Sequence, residues 1–235
     1  IYGTHISSEH DIVSPGTGVA IVTEGGNQNA KTIEYAGNSE AFIAWADFRE
    51  GANADVYGQR LNASMEALFQ ENGLPIAATE DQELKPRATF VENTTSFIAW
   101  KKGDEDSRVF YQFIDENGTV FSDDRTISDS QALQTAPRVK RSATGEVFVN
   151  WKDLRDDPID GDQYFQKINT NGDKQWGDGV RLDPVDDVDF SARFSADSNG
   201  DLNILWERGT FPDVDIFYQN ITSDGSYSIE QPLAI

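Results

Sequence analysis

The feature that most constrains the fold is a repeat, because short apolar runs that end in tryptophan recur at a nearly constant spacing. Successive tryptophans of this series are 55, 51 and 55 residues apart. They are Trp45, Trp100, Trp151 and Trp206. Self-similarity at a fixed period is the signature of architectures in which each unit buries its apolar face against the next. The chain is therefore predicted to be a repeat protein.

A second series of residues keeps the same period. An aromatic segment ending in glutamine follows each tryptophan, and the glutamines are 53, 54 and 53 residues apart. These glutamines are Gln59, Gln112, Gln166 and Gln219. The segment from Ile1 to Thr4 is a fifth copy, since Thr4 precedes Gln59 by 55 residues. Two independent series with one period define a unit of about 53 residues that occurs four and a half times.

Each unit contains four segments with the pattern of β-strands, separated by turn residues. Turns such as Asn117-Gly118, Asn171-Gly172 and Asp224-Gly225 supply the positive φ that tight hairpins require. No segment keeps a 3.6-residue apolar period, so almost no helix is expected. Four short antiparallel strands per unit predict an all-β fold, a β-propeller of four-stranded antiparallel blades. A linear solenoid is the second choice and a β-sandwich the third.

The strand count predicts a five-bladed propeller with an incomplete first blade. We expect a single propeller domain over 1–235, with a blade remnant over 1–30. The repeats then cover about 31–80, 81–130, 131–184 and 185–235. The chain opens on the last two strands of a unit, and the two missing strands would be lost, absent here or supplied by another segment. We therefore expect the chain to be part of a larger polypeptide or assembly.

Composition excludes several classes of function. The formal net charge is −22, from 41 acidic and 19 basic residues, so nucleic acid is an unfavourable partner. No apolar segment reaches the length of a membrane span, and membrane insertion is not expected. The absence of cysteine excludes disulfides and thiol chemistry. An acidic, aromatic-rich β chain fits a secreted or cell-surface location.

The repeat resembles one found in large secreted or surface proteins of Bacteroidota and other Gram-negative bacteria. The pattern is Trp-x-Asp-x-Arg, then Asp-x-Tyr-x-Gln, and it covers essentially the whole chain. The best copy runs from Trp45 through Asp47 and Arg49, and the third copy has Trp151, Asp153 and Arg155 in the same places. The second and fourth copies lack the Asp and the Arg. The resemblance implies an exported, propeller-like repeat and no particular activity.

The Trp-x-Asp-x-Arg motif allows two interpretations. The aromatic face and the carboxylate could form a glycan platform, or the motif could be a determinant of the blade fold. A motif that occurs once per unit and has decayed in two of four copies behaves like a fold determinant. We favour the structural interpretation for all four copies.

The predicted first strands carry the candidate ligand-binding residues. Arg87, Arg138 and Arg193 occupy matching positions in three units, and Thr32 holds that position in the fourth. Inward-facing guanidinium groups would bind an anion with bidentate geometry. The alternative, which we favour, is that each arginine pairs with a motif aspartate. Glu34 is the one clear acid of these strands.

Acidic loops are the candidate cation sites. Asp156, Asp157, Asp160 and Asp162 lie within seven residues, and oxygen ligands at alternating loop positions suit Ca²⁺. Asp183, Asp186, Asp187 and Asp189 form a second group. Neither group matches the twelve-residue calcium loop, and a solvated acidic loop is the favoured interpretation. Ca²⁺ is the one cofactor that the sequence suggests.

No catalytic arrangement is visible in the sequence. Serine-histidine-aspartate sets and zinc-ligand spacings are absent. Glycosidases need two carboxylates, whereas the predicted first strands offer one clear acid, Glu34. The sequence therefore predicts a non-enzymatic extracellular module for adhesion, scaffolding or binding, with surface proteins or glycans as partners. The alternative is a carbohydrate-active propeller, namely a glycoside hydrolase, a lyase or a glycan-binding lectin.

Overall fold

The chain is an all-β protein. The computed structural model describes residues 1–12, 17–91, 95–121, 125–183, 192–210, 212–229 and 232–235. Within them the chain forms eighteen strands and no helix, so no described segment is a helix that could cross a membrane. The strands are β1 Tyr2–Gly3, β2 Val19–Ala20, β3 Gln28–Gly37, β4 Glu40–Asp47, β5 Asp55–Leu61, β6 Leu74–Ala77, β7 Glu83–Phe90, β8 Ser96–Lys102, β9 Arg108–Ile114, β10 Arg125–Thr126, β11 Gln134–Arg141, β12 Val147–Asp153, β13 Asp162–Ile168, β14 Val180–Arg181, β15 Arg193–Ala196, β16 Leu202–Thr210, β17 Asp213–Ile221 and β18 Leu233–Ala234.

The strands form four four-stranded sheets and one two-stranded sheet. Each four-stranded sheet joins strands that follow one another in the chain: β3 to β6, β7 to β10, β11 to β14 and β15 to β18. The pairing between neighbouring strands is antiparallel. This is the sequential pairing that the four-strand unit predicts.

The hairpin that follows the third strand repeats in the same geometry five times. In every copy, a residue at the end of the third strand forms an isolated antiparallel bridge with the residue six positions later. The five bridges are Ile6 with Ile12, Leu61 with Ala67, Ile114 with Val120, Ile168 with Lys174 and Ile221 with Tyr227. The partial copy at the start of the chain therefore has the same local structure as the four complete ones.

The repeated glutamine has a structural role in this hairpin. Oε1 of Gln59 accepts hydrogen bonds from the backbone N–H groups of Arg60 and Phe69, and its Nε2 donates to the carbonyl of Gln70. Gln166 makes the same three contacts in its own sheet, with Lys167, Trp176 and Gly177. Since buried backbone groups need partners, one buried amide at this position ties the third strand to the turn before the fourth.

The chain divides into two compact units. One comprises Ile1–Asp104 with Tyr111–Arg125, and the other comprises Glu105–Phe110 with Thr126–Ile235. In the first unit β7 lies against β3, β4 and β5, and in the second unit β11 lies next to β15. Sheet faces thus pack on neighbouring sheets within each unit, and the repeat tryptophans Trp45 and Trp206 lie in these cores.

Candidate functional site

A β-bulge precedes the candidate arginine on the first strand of a sheet. In β7 the register with β8 shifts between Leu84 and Arg87, and in β11 the register with β12 shifts between Thr135 and Arg138. Lys85 and Ala136 adopt positive φ of 55° and 54° at these bulges. Left-handed backbone at a non-glycine residue is strained, and bulges of this kind re-aim the side chain that follows. A third register shift lies at the same place in β3, before Thr32.

The four positions singled out in the sequence are equivalent in the structure. Each first-strand residue pairs with the residue directly before the repeat tryptophan. The pairs are Thr32 with Ala44, Arg87 with Ala99, Arg138 with Asn150, and Arg193 with Leu205. Register therefore places three arginines at one position of the repeat.

The arginine environments differ in burial. Arg87 and Arg138 are partly buried and Arg193 is exposed. Nη1 of Arg87 donates to the carbonyl of Pro86 at 2.9 Å, and Nη1 of Arg193 donates to the carbonyl of Ala192 at 3.3 Å. Burial lowers the pKa of Arg87, because removal from water disfavours the charged guanidinium. No carboxylate contributes to the pKa of Arg87.

The motif aspartates pair with the motif arginines of their own copies. Nε1 of Trp45 donates to Oδ2 of Asp47 at 2.8 Å, and Nη2 of Arg49 donates to the same oxygen at 2.6 Å. The backbone N–H of Arg49 donates to Oδ1, and its guanidinium lies 3.9 Å from the ring centroid of Tyr57. The hypothesis that the first-strand arginines pair with motif aspartates stays a prediction.

The third copy of the motif has the same geometry. Asp153 accepts from Nε1 of Trp151 at 2.9 Å and from Nη2 of Arg155 at 2.6 Å. The guanidinium of Arg155 lies 4.2 Å from the ring centroid of Tyr164. Both aspartates are fully buried, so the motif is an internal network and its carboxylates are not available to a ligand.

The second and fourth copies reverse the charge of this network, which the sequence pattern alone did not reveal. The position of Asp47 is held by Lys102 in the second copy and by Arg208 in the fourth. Lys102 lies 3.8 Å from Oε1 of Glu83, and Arg208 pairs with the buried Asp183. The signal was present in the sequence as a cation two residues after Trp100 and Trp206.

The acids that bear on glycoside hydrolysis include the buried Glu83 and Asp55, and Asp55 lies beside a groove that Glu50 also lines. Glu83 and Asp55 are buried, and burial raises the pKa of both carboxyl groups. Glu83 accepts a hydrogen bond from Thr79 and faces Lys102, and it has no exposed surface that a substrate could reach. Glu34 is partly buried on β3, where it pairs with Phe42. A retaining hydrolase needs two accessible carboxylates about 5 Å apart.

The predicted calcium loop uses its acids for internal contacts. Asp156 accepts from the hydroxyl of Tyr164, Oδ1 of Asp157 accepts from the N–H groups of Ile159 and Asp160, and Asp162 pairs with Arg181 at 2.9 Å. Among the described residues, no group of three or more acidic or histidine side chains is placed to hold a metal ion. The members of the second acidic group at 186, 187 and 189 lie outside the described residues.

The repeat tryptophans do not form a glycan platform. Trp45, Trp100 and Trp151 have no exposed surface, and Trp206 is 2% exposed. Exposed aromatic residues occur elsewhere, as Tyr2 and Tyr35 at the rim of a groove of about 620 Å³ in the first unit. A lectin site built on the repeat tryptophans is therefore excluded by their burial.

The fold matches known propeller structures at low sequence identity. An endo-arabinase from Bacteroides thetaiotaomicron is 14% identical, with a TM-score of 0.53, over 89% of this chain and 81% of that one. An α-L-arabinanase from Penicillium chrysogenum is 12% identical, with a TM-score of 0.56, over 92% and 70%. An ulvan lyase bound to -[GlcA(1-4)Rha3S]- is 16% identical, with a TM-score of 0.54, over 90% and 59%. No protein-family description and no curated protein sequence matches the chain.

These likenesses confirm one prediction and correct another. The fold is an all-β propeller of four-stranded antiparallel blades, and the number of blades stays a prediction. The prediction of a non-enzymatic adhesion or scaffold module is wrong, because the similar propellers are glycoside hydrolases and a polysaccharide lyase. Its alternative, a carbohydrate-active propeller, is the reading that these likenesses favour.

Proposed function

We propose that this chain is a carbohydrate-active propeller that acts on an anionic polysaccharide, by the chemistry of a lyase. The observation that carries the proposal is the arginine position of the first strands. A guanidinium binds the carboxylate of a uronic acid or a sulfate ester through two parallel hydrogen bonds. Arabinan, the substrate class that the names of the similar arabinases give, has no anionic group that would need such arginines.

The second unit supplies the pair of arginines on which the proposal depends. Arg138 and Arg193 stand at equivalent positions of β11 and β15, which lie next to each other. The described parts of these two strands contain no acidic residue that would repel an anion. Arg87 holds the equivalent position in the first unit, and its lowered pKa reflects burial without help from a carboxylate.

The requirements of the two reactions separate the lyase proposal from hydrolysis. In the elimination of a uronate, a base removes the proton at C5, the C4–O bond to the neighbouring sugar breaks, the leaving oxygen takes up a proton, and a C4=C5 double bond forms. The reaction needs neutralisation of the carboxylate, and it does not need a nucleophilic carboxylate. Arginine is the residue that neutralises a carboxylate in this geometry. The similar ulvan lyase supports this choice of substrate class, since its bound ligand contains both a glucuronate and a sulfate.

The test compares variants of the arginine position on a panel of polysaccharides. We expect Arg138→Ala and Arg193→Ala each to weaken binding of a polyuronate or sulfated glycan by about 10-fold or more, because each removes charge-assisted hydrogen bonds. Arg141→Ala is the matched control, since Arg141 is an exposed arginine of the same strand β11. Formation of unsaturated uronate, followed by ultraviolet absorbance, reports the elimination.

Two results would contradict the proposal. Equal affinity of the wild type for neutral arabinan and for the acidic glycans would remove the role of anion recognition. Release of reducing ends without unsaturated product would show hydrolysis and overturn the lyase chemistry.

A further inference from the structure

A polar groove of about 490 Å³ lies in the first unit, beside the start of strand β5. One wall comes from the loop between β4 and β5, and the other comes from the segment that follows β6. Among the described residues, its lining contains the carboxylates of Glu50 and Asp55 and no cationic side chain. The groove therefore presents negative charge to whatever enters it.

Asp55 is a buried carboxylate that lines this groove. The residue is 7% exposed, and within the part of the chain that the structure describes its carboxylate makes no hydrogen bond and no ion pair. The charge of Arg49 acts on Asp55, but the Arg49 guanidinium is hydrogen-bonded to Asp47 and to the carbonyl of Asn72. Burial, and after it the charge of Glu50, raises the pKa of Asp55. A buried carboxylate in this state is costly until a cationic group pairs with it.

The third copy of the repeat shows which group satisfies this position. Asp55 and Asp162 each lie four residues before a repeat glutamine, and each is paired in register with the motif aspartate of its own copy. Nη2 of Arg181 donates to Oδ1 of Asp162 at 2.9 Å. Arg181 lies opposite the third-strand tyrosine in register, and Pro75 holds that place in the first copy. The first copy thus keeps the buried carboxylate and lacks the guanidinium group.

The other two complete copies do not repeat this arrangement. The position four residues before the repeat glutamine is held by Arg108 in the second copy and by Asp215 in the fourth. Asp215 is exposed, so water can solvate its carboxylate. A buried carboxylate that faces a groove without its own arginine is therefore particular to Asp55 among the described copies.

The groove suits an organic cation better than a metal ion. Ca²⁺ takes about six to eight oxygen ligands, whereas Asp55 and Glu50 are the two acids of this groove. Nδ2 of Asn53 donates to the carbonyl of Glu80 at 2.8 Å, which leaves Oδ1 of Asn53 as an acceptor. A planar guanidinium carries five N–H donors and matches a set of acceptors of this kind.

We propose that the groove beside Asp55 binds the guanidinium group of an arginine side chain from a partner peptide. Asp55 accepts from this group as Asp162 accepts from Arg181, and Glu50 attracts it at the rim of the groove. The net charge of −22 favours the approach of a basic segment. This site uses none of the first-strand arginines, so it goes beyond the proposed action on polysaccharides.

The test uses Nα-acetyl-arginine methylamide as the probe. Binding is followed by the chemical shifts of the backbone amides of Asn53, Ala54 and Asp55 at constant ionic strength. We expect saturable shifts, and a several-fold weaker affinity for the lysine analogue, which has the same charge without the planar fork of donors. Equal affinity for the two probes would show general attraction to an acidic protein and would overturn the proposal.

Three variants assign the binding to the groove. Asp55→Asn should weaken binding by about 10-fold or more and should not lower the thermal midpoint, because it removes a buried charge that has no partner. Glu50→Gln changes an exposed residue and should weaken binding by about 3-fold. Asp215→Asn is the matched control, since it removes the same charge at the equivalent exposed position and should leave affinity unchanged.

Unchanged affinity in Asp55→Asn would contradict the proposal. Displacement of the arginine probe by Ca²⁺, with larger shifts at the same amides, would replace it by a metal site. These variants leave Arg138 and Arg193 intact, so the outcome is separate from that of the polysaccharide experiments.

Discussion

At the scale of residues, the structure explains why the motif tryptophan and aspartate recur together. Asp47 lies inside the protein and accepts hydrogen bonds from Trp45 and Arg49. Burial opposes ionisation of Asp47, but hydrogen bonds from Arg49 and Trp45 together outweigh it, so the pKa of Asp47 lies below its usual value. The motif is a buried ionic network that holds the end of the second strand.

We expect Asp47→Asn to destabilise the chain by about 3 kcal/mol at neutral pH, because it leaves a partly buried guanidinium without its counter-ion. A carboxyl group with a lowered pKa contributes stability above its unfolded pKa of about 3.9 and loses it as the pH falls through the folded value. The difference in the free energy of unfolding between wild type and variant should therefore become smaller below about pH 4. Urea unfolding as a function of pH measures it, with the exposed Asp160→Asn as the control. A difference that stays constant down to pH 2 would contradict the network.

A glycine that lies against the motif tryptophan of the third copy gives a second prediction. Gly179 has φ of 99°, and an added Cβ would lie 2.6 Å from Cη2 of Trp151. Gly177 lies in the same turn with φ of 56° and nothing within 4 Å of its Cβ position. We expect Gly177→Ala to cost about 1 kcal/mol for the backbone alone and Gly179→Ala to cost about 2 kcal/mol more for the overpacked core. Equal losses of stability for the two variants in urea unfolding would show that Trp151 moves aside to make room for the added methyl group.

At the scale of elements, the sheets differ in the charges that join their first and second strands. In β11 and β12, Nε2 of Gln134 donates to Oδ2 of Asp153 at 3.0 Å. In β7 and β8, Glu83 and Lys102 hold the same paired positions. The apparent decay of the motif in the second copy is thus a replacement of one buried polar pair by another.

This equivalence predicts strong coupling between Glu83 and Lys102. We expect Lys102→Asp alone to be severely destabilising, because two carboxylates would then face each other in a buried site. Glu83→Gln together with Lys102→Asp recreates the pair seen in the third copy and should recover most of the loss. A double-mutant cycle measured by urea unfolding should give a coupling energy of about 2 kcal/mol. Additive effects would contradict the equivalence of the two sites.

The sequence predicted elements better than it predicted side-chain partners. The positions of Trp151 and Gln166 in the period were sufficient to locate second and third strands, because apolar alternation and turn residues act locally. The partner of a charged residue depends on which strand lies opposite, and that register is not local. The pairing of Asp153 with Arg155, for example, joins two residues of one motif, but the pattern alone did not say which charged side chain Asp153 would contact.

At the scale of the whole molecule, the net charge of −22 opposes the ligand class that we propose. Long-range repulsion acts on any polyanion that approaches, whereas the attraction of an arginine pair acts only at contact. Added salt screens the long-range repulsion at a lower concentration than the one at which it weakens the arginine contacts. The functional class could not be predicted from composition, because an acidic surface says nothing about a local cluster of cationic residues.

The affinity of the chain for a polyuronate, measured as a function of ionic strength, tests the arginine site most directly. We expect the affinity to rise as salt is first added, because the repulsion is screened, and then to fall as the contacts of Arg138 and Arg193 weaken. In the variant that lacks both arginines, binding should be weak at every salt concentration. Undiminished affinity in that variant, or tighter binding of neutral arabinan at all ionic strengths, would refute anion recognition at these arginines.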